Sequence, residues 1–204
     1  MLFPILFLTI ILFPDTALAH VGQTTGFIPG VMHPVMGLDH LLAMVSVGIV
    51  SAQIGGRAIW SVPLAFVSVM ALGGVAGMQS YTFLDVDTII ALIENGIIAS
   101  VILLGLAIAL DKKLPVWIAV LTCGFFGFFH GFAHGAEIPD LSMSFTYILG
   151  FMCSTAALHI FGVGIGEIAR RVQNGRVLLR YLGAVVLGMG LHMAYETLTL
   201  AIIF

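Results

Sequence analysis

Six apolar runs, each close to the length needed to cross a bilayer and separated by short breaks, constrain this chain more than any other feature. A spanning helix needs about 20 mostly apolar residues. The runs cover residues 37–54, 59–78, 88–110, 115–134, 144–168 and 178–203. The breaks are Gly55-Gly56-Arg57, Ser80 to Asp87, Asp111-Lys112-Lys113, Gly135 to Ser142 and Arg170 to Arg176. In hydrocarbon every backbone N–H and C=O must be paired inside the protein, so runs of this kind fold as helices. The expectation is an all-α polytopic membrane protein. Residues 20–204 form a single six-transmembrane-helix bundle, preceded by a cleaved N-terminal signal peptide over residues 1–19.

Apolar residues are 60% of the 204 and charged residues only 8%, against roughly 45–50% and 25% in soluble domains. The net charge is −3 with no basic tail, which argues against nucleic acid as a partner. Cys123 and Cys153 both lie inside apolar runs, so they suggest small core residues and no disulfide framework.

The first residues read as a signal peptide. Residues 2–13 are apolar, and Ala17-Leu18-Ala19 fits a small-x-small cleavage site, which makes His20 the first mature residue. Pro4 and Pro14 disfavour a stable spanning helix there. The segment departs from the usual pattern in having no Lys or Arg before its apolar core. Cleavage would give His20 a free α-amine beside its imidazole, two nitrogens able to chelate one metal ion.

Orientation follows from the basic residues. All seven, Arg57, Lys112, Lys113, Arg170, Arg171, Arg176 and Arg180, lie in or beside the breaks after the first, third and fifth spans. The breaks after the second and fourth spans carry Asp85, Asp87, Glu137 and Asp140 instead. The positive-inside rule makes the basic breaks cytoplasmic. The expected location is a bacterial-type inner membrane, with both mature termini on the outer, periplasmic side.

Depth then sorts the ionisable residues. His33 is expected at the outer end of the first span, with Pro34 in its first turn, and His40 about 10 Å deeper on nearly the same face. Asp39 neighbours His40. His130 and His134, four apart, share a face at the outer end of the fourth span, and Glu137 follows one turn later. Glu94 and Asn95 sit just below the outer surface of the third span, and His192 and Glu196 in the outer part of the sixth. His159, in the fifth span, lies near mid-membrane. A charge at the bilayer centre costs about 2.5–3.5 kcal/mol even on lenient scales, so such residues are expected to face the bundle interior and carry function. The structural alternative is interhelical hydrogen bonding worth about 0.6 kcal/mol each. That alternative is an even match for His159, His192 and Glu196. It is a poor one for four imidazoles and a carboxylate gathered on two spans. Gly127, Gly131 and Gly135 form a smooth stripe beside His130 and His134, and Gly73 and Gly77 form another on the second span. The first span is the expected neighbour of the fourth-span stripe.

Neutral imidazole suits Zn, Cu, Fe and Ni, while Mg²⁺ and Ca²⁺ take oxygen donors. A histidine-rich site with one or two carboxylates therefore points to a divalent transition-metal ion. Met32, Met36, Met44, Met189 and Met193 near the histidines make copper an alternative, although methionine commonly fills apolar cores. The chain has no HExxH, no nucleophile elbow and no nucleotide-binding GxxxxGK[ST] loop. Transport is thus favoured over catalysis, with no prosthetic group and no ATPase subunit implied. The rival readings are a His-ligated membrane metalloenzyme or haem protein, and a non-transporting membrane partner that passes metal to a maturation machinery.

Several motifs carry a resemblance. His20-Val21-Gly22, Gly26-Phe27, His33-Pro34-x-x-Gly37-x-Asp39-His40, Gly55-Gly56-Arg57-Ala58, Glu94-x-Gly96-Ile97 and Phe129-His130-Gly131-x-Ala133-His134-Gly135-x-Glu137 together resemble the HupE/UreJ family of membrane proteins. The resemblance covers nearly the whole mature chain. It implies a nickel or cobalt permease, of a kind often linked to hydrogenase or urease maturation proteins. It also implies that His33, Asp39, His40, His130, His134 and Glu137 handle the metal. His33-x5-Asp39-His40 is similar to, and one residue longer than, the His-x4-Asp-His signature of a separate nickel–cobalt transporter family. The chain departs from the pattern at Phe132, where many members carry a further histidine, and the missing donor bears on metal identity.

Overall fold

The structure, a computed structural model, describes residues 26–78, 86–136 and 141–203. His20, Glu137 and the expected signal peptide lie outside these. The helices are α1 (Phe27–Met36), α2 (Leu38–Ile54), α3 (Ala58–Met78), α4 (Val86–Leu110), α5 (Val116–Ala136), α6 (Leu141–Ala169) and α7 (Gly175–Ile203). Among the described residues there is no strand. Helices α3 to α7 are each long and apolar enough to cross a membrane, and α1 with α2 passes the same test only as a bent pair, the form of a broken span or a re-entrant loop. Large apolar side chains such as Trp60, Leu64, Trp117 and Leu121 are exposed along these helices, as a hydrocarbon surround permits.

The first span differs from the straight helix expected. α1 and α2 meet at Gly37 with an 83° bend, so His33 and His40 belong to different helices. Gly37 has φ −78° and ψ 112°, extended backbone open to any residue. The local reason for glycine there is space. A Cβ would stand 3.2 Å from Asp39 Oδ1 and 3.3 Å from His40 Nδ1. α1 is held on α6 by reciprocal close approach: a Cβ on Gly30 would collide with the carbonyl of Tyr147, and one on Gly150 with that of Phe27.

The partner of the α5 glycine stripe also differs from expectation. It is α3, the most extensive helix pairing in the bundle, and not the first span. A Cβ on Gly127 would collide with the backbone of Phe66, on Gly131 with that of Met70 and on Gly135 with that of Gly74. From the other side, Gly73 and Gly77 meet the carbonyls of Phe128 and Phe132. Both helices present small residues at the contact, and two such stripes admit backbone-to-backbone packing. The matched order of these contacts makes α3 and α5 parallel. α2 packs chiefly on α6, where Gly48 meets His159 and Gly162 meets Val45.

The buried core runs between α2, α3, α4 and α5 through Met44, Val47, Val62, Phe66, Ile97, Val101 and Ile108. The end where α2 finishes carries the basic residues. Gly55 and Gly56 turn the chain there with φ of 77° and 58°, left-handed values that favour glycine. Arg176 pairs with Asp111 at 2.7 Å, and Gln53 donates to Asp111 Oδ1 at 3.1 Å. Arg170 donates to the Ala52 carbonyl and to Glu167. The histidines of α1, α2 and α5 gather at the opposite end.

Candidate metal centre

Three elements deliver the imidazoles. The bend at Gly37 folds α1 back so that His33 approaches α5, and its ring centroid is 6.1 Å from that of His40. His40 sits in the first turn of α2, and His130 and His134 occupy successive turns near the end of α5. The rings form one continuous series. Centroids are 4.4 Å apart for His33–His134, 4.6 Å for His134–His40 and 4.8 Å for His40–His130. His40, His130 and His134 are buried, and His33 is half-buried. Phe151 of α6 covers His134, with centroids 4.3 Å apart.

Hydrogen bonds fix which nitrogens present lone pairs. Asp39 Oδ1 accepts both from the His40 backbone N–H and from its Nδ1, each at 2.8 Å. A proton held on Nδ1 leaves Nε2 of the neutral ring as the donor to a metal, the usual effect of a carboxylate behind a ligating histidine. That Nε2 lies 2.7 Å from Nε2 of His134, close enough for one proton to be shared between the rings. His33 Nδ1 lies 2.9 Å from the Tyr147 hydroxyl. Ser100 of α4 donates its only proton to the Ile97 carbonyl at 2.6 Å. Its oxygen therefore accepts from His130 Nε2, 3.0 Å away. This places the lone pair of His130 on Nδ1, which is buried with no hydrogen-bond partner. A buried nitrogen lone pair without a donor is costly unless a cation or water visits it.

Among the described residues no three His, Cys, Asp or Glu side chains already stand as an ion would need them. The nearest pair of imidazole nitrogens, on His40 and His134, stands 2.7 Å apart, closer than an ion between them would hold them. Two nitrogens bound to one tetrahedral ion at 2.0–2.1 Å stand roughly 3.3 Å apart. For an ion to take the place of the shared proton, the rings must part by about half an ångström and the His134 proton must pass from Nε2 to Nδ1, leaving both Nε2 lone pairs free.

The remaining candidates sit elsewhere. Glu94 is half-buried on α4, six residues and about 9 Å along the helix from Ser100. His192 and Glu196 form a 3.4 Å pair on an exposed face of α7, away from the cluster. Asn95 bonds its own helix at the Ala91 carbonyl. Phe132 lies about 200° around α5 from both His130 and His134 and its ring contacts Phe128. A histidine at that position would sit on the opposite helix face, so Phe132 removes no ligand from this cluster. Both cysteines are free, Cys123 buried and Cys153 exposed.

The family model described as HupE / UreJ protein matches residues 8–193. The chain belongs to the HupE/UreJ family. Among curated relatives, the protein named Protein HupE of Rhizobium leguminosarum bv. viciae is 41% identical over 174 residues, covering 85% of this chain and 87% of that protein. No solved structure matches the chain. Sequence reasoning on this HupE/UreJ member missed Ser100, Tyr147 and Phe151, which orient or cover the imidazoles. Nothing in their spacing marks them: each is one polar or aromatic residue in an apolar helix. Their role depends on the bend at Gly37 and on the rotation of α4 and α6.

Proposed function

We propose that this protein is a permease that admits a divalent transition-metal ion, Ni²⁺ or Co²⁺, across the inner membrane, and that it is not an enzyme. The observation that carries the reading is the 2.7 Å approach of His40 Nε2 to His134 Nε2, with Asp39 behind His40. These atoms present imidazole nitrogens, the donors that first-row transition metals prefer, inside a bundle with little other charge. His40 and His134 bind the ion first, His33 and His130 flank them, and Asp39 holds His40 in the competent tautomer. His20, Glu94 and Glu137 attract the ion at the mouth. Copper and zinc are the alternative cargoes on donor chemistry alone.

The basic residues collected at the far end support a cytoplasmic location for that end, which puts the histidine end and both mature termini outside. An ion entering from outside then meets the cluster first. Inward movement of a dication gains roughly 4.6 kcal/mol per 100 mV, twice the figure for a unit charge, so no ATPase partner is needed. Maturation proteins of metalloenzymes are the natural recipients.

The test is uptake of radiolabelled Ni²⁺ and Co²⁺ into liposomes holding only this protein. Accumulation that disappears in His40→Ala and His134→Ala, with the variants still inserted, is the expected result. Uptake unchanged in both variants, or no uptake by the unaltered protein, defeats the proposal.

A further inference from the structure

His159 has no role in the cluster described above, and its surroundings are unusual. It lies in the interior of α6, is 1% exposed, and neither ring nitrogen has a hydrogen-bond partner. Thr155, one turn earlier on the same face, is fully buried, and its hydroxyl also has no partner. A histidine retained as interhelical glue would be bonded to something; this one is bonded to nothing. The pair is therefore two adjacent buried polar side chains with open valences, in a bundle that could have placed leucine at either position.

Their location is informative. A Cβ on Gly48 would collide with the carbonyl of His159, so His159 stands level with Gly48 on α2. Gly48 is eight residues past His40, or about 12 Å further into the bundle. One ring connects the two levels. Phe66 of α3 is fully buried, with its centroid 5.4 Å from that of His130 and 5.1 Å from that of His159. Its backbone is held against Gly127 by the close α3–α5 packing. This phenyl thus contacts both His130, whose Nδ1 is open, and His159.

We propose that His159, assisted by the Thr155 hydroxyl, is a second, inner station for the same divalent transition-metal ion, and that the Phe66 ring separates it from the outer cluster. The proposal rests on the permease reading for its direction of travel, but the binding site itself does not. An ion leaving His40 and His134 passes His130, then rotates or displaces the Phe66 ring, and reaches the imidazole of His159 before the basic end.

The test uses the full-length protein in detergent and in liposomes, with Co²⁺ as the probe because its visible absorption reports nitrogen coordination. Unaltered protein is expected to bind Co²⁺ in two classes. His159→Leu removes the weaker class, leaves the tighter one within twofold, and cuts initial Co²⁺ uptake at least tenfold. Its thermal unfolding temperature is unchanged or higher, because leucine has no nitrogens to leave unsatisfied. His159→Gln, which keeps a polar side chain without the imidazole, behaves the same way in binding and uptake. The proposal is overturned if unaltered protein shows one class only, if both variants keep two classes or take up Co²⁺ within twofold of unaltered protein, or if His159→Leu loses uptake together with thermal stability. Should the weaker class depend on His159 while unaltered protein moves no Co²⁺ into vesicles, the inner station stands and the permease reading falls.

Discussion

Replacing Asp39 by asparagine tests how the cluster is tuned. The Asp39 Oδ1 accepts two bonds of 2.8 Å from His40, one from the backbone and one from the ring. Asparagine retains the shape and an oxygen that can still accept the backbone N–H, so the start of α2 keeps its geometry. What disappears is the charge that strengthens the bond from Nδ1 and holds the His40 proton there. Charge-assisted hydrogen bonds are about twice as strong as neutral ones, and carboxylates behind ligating histidines are worth about 10–100-fold in metal affinity. Because the amide oxygen can still accept from both donors and only the charge is lost, the loss belongs at the lower end: about tenfold, or roughly 1.4 kcal/mol. The assay is titration of purified full-length protein with Co²⁺ and Ni²⁺, followed by absorbance or calorimetry. The dissociation constant should rise about tenfold with unchanged stoichiometry and helical content. Binding within twofold of the unaltered protein would refute the claim that Asp39 sets the donor state of His40.

Three further outcomes follow from the geometry. Tyr147→Phe removes the hydroxyl 2.9 Å from His33 Nδ1, a bond worth about 1 kcal/mol, so metal binding should weaken about fivefold; an unchanged titration would show that His33 needs no positioning from α6. Gly131→Ala places a Cβ into the Met70 carbonyl and 2.9 Å from the Gly74 nitrogen, and forcing α3 and α5 apart should cost about 1–3 kcal/mol. Thermal unfolding in detergent should shift down, and an unshifted transition would count against the close approach. Phe132→His adds a donor on the opposite face of α5, so affinity should stay within twofold; a clear tightening would place residue 132 in the site after all.

The sequence made the membrane spans legible because a bilayer imposes length and apolarity on each one, independently of how the helices pack. The outer imidazoles were legible for the same reason: ionisable residues are so costly in these runs that His40, His130 and His134 stood out without any knowledge of packing. Three-dimensional placement was not. The 83° break at Gly37 brings His33 to His134, whereas a straight span would have put it about 10 Å along the helix from His40. A single glycine before Asp39 is no signal of a break, since Gly127 and Gly131 lie inside unbroken α5. The glycine stripe of α5 announced a close neighbour but not which one. That was decided by α3, whose Gly73, Gly74 and Gly77 make a matching surface. Ser100 and Tyr147 acquire their roles only after those two arrangements are set.

The central claim is that one ion is held jointly by imidazoles from α2 and α5. X-ray absorption on Ni²⁺-loaded full-length protein measures this directly. At least two imidazole nitrogens at roughly 2.1 Å, comparable to imidazole on zinc, are expected, with the imidazole signal lost in the His40→Ala/His134→Ala double variant. A spectrum with oxygen ligands alone, or an imidazole signal that survives the double substitution, would contradict it.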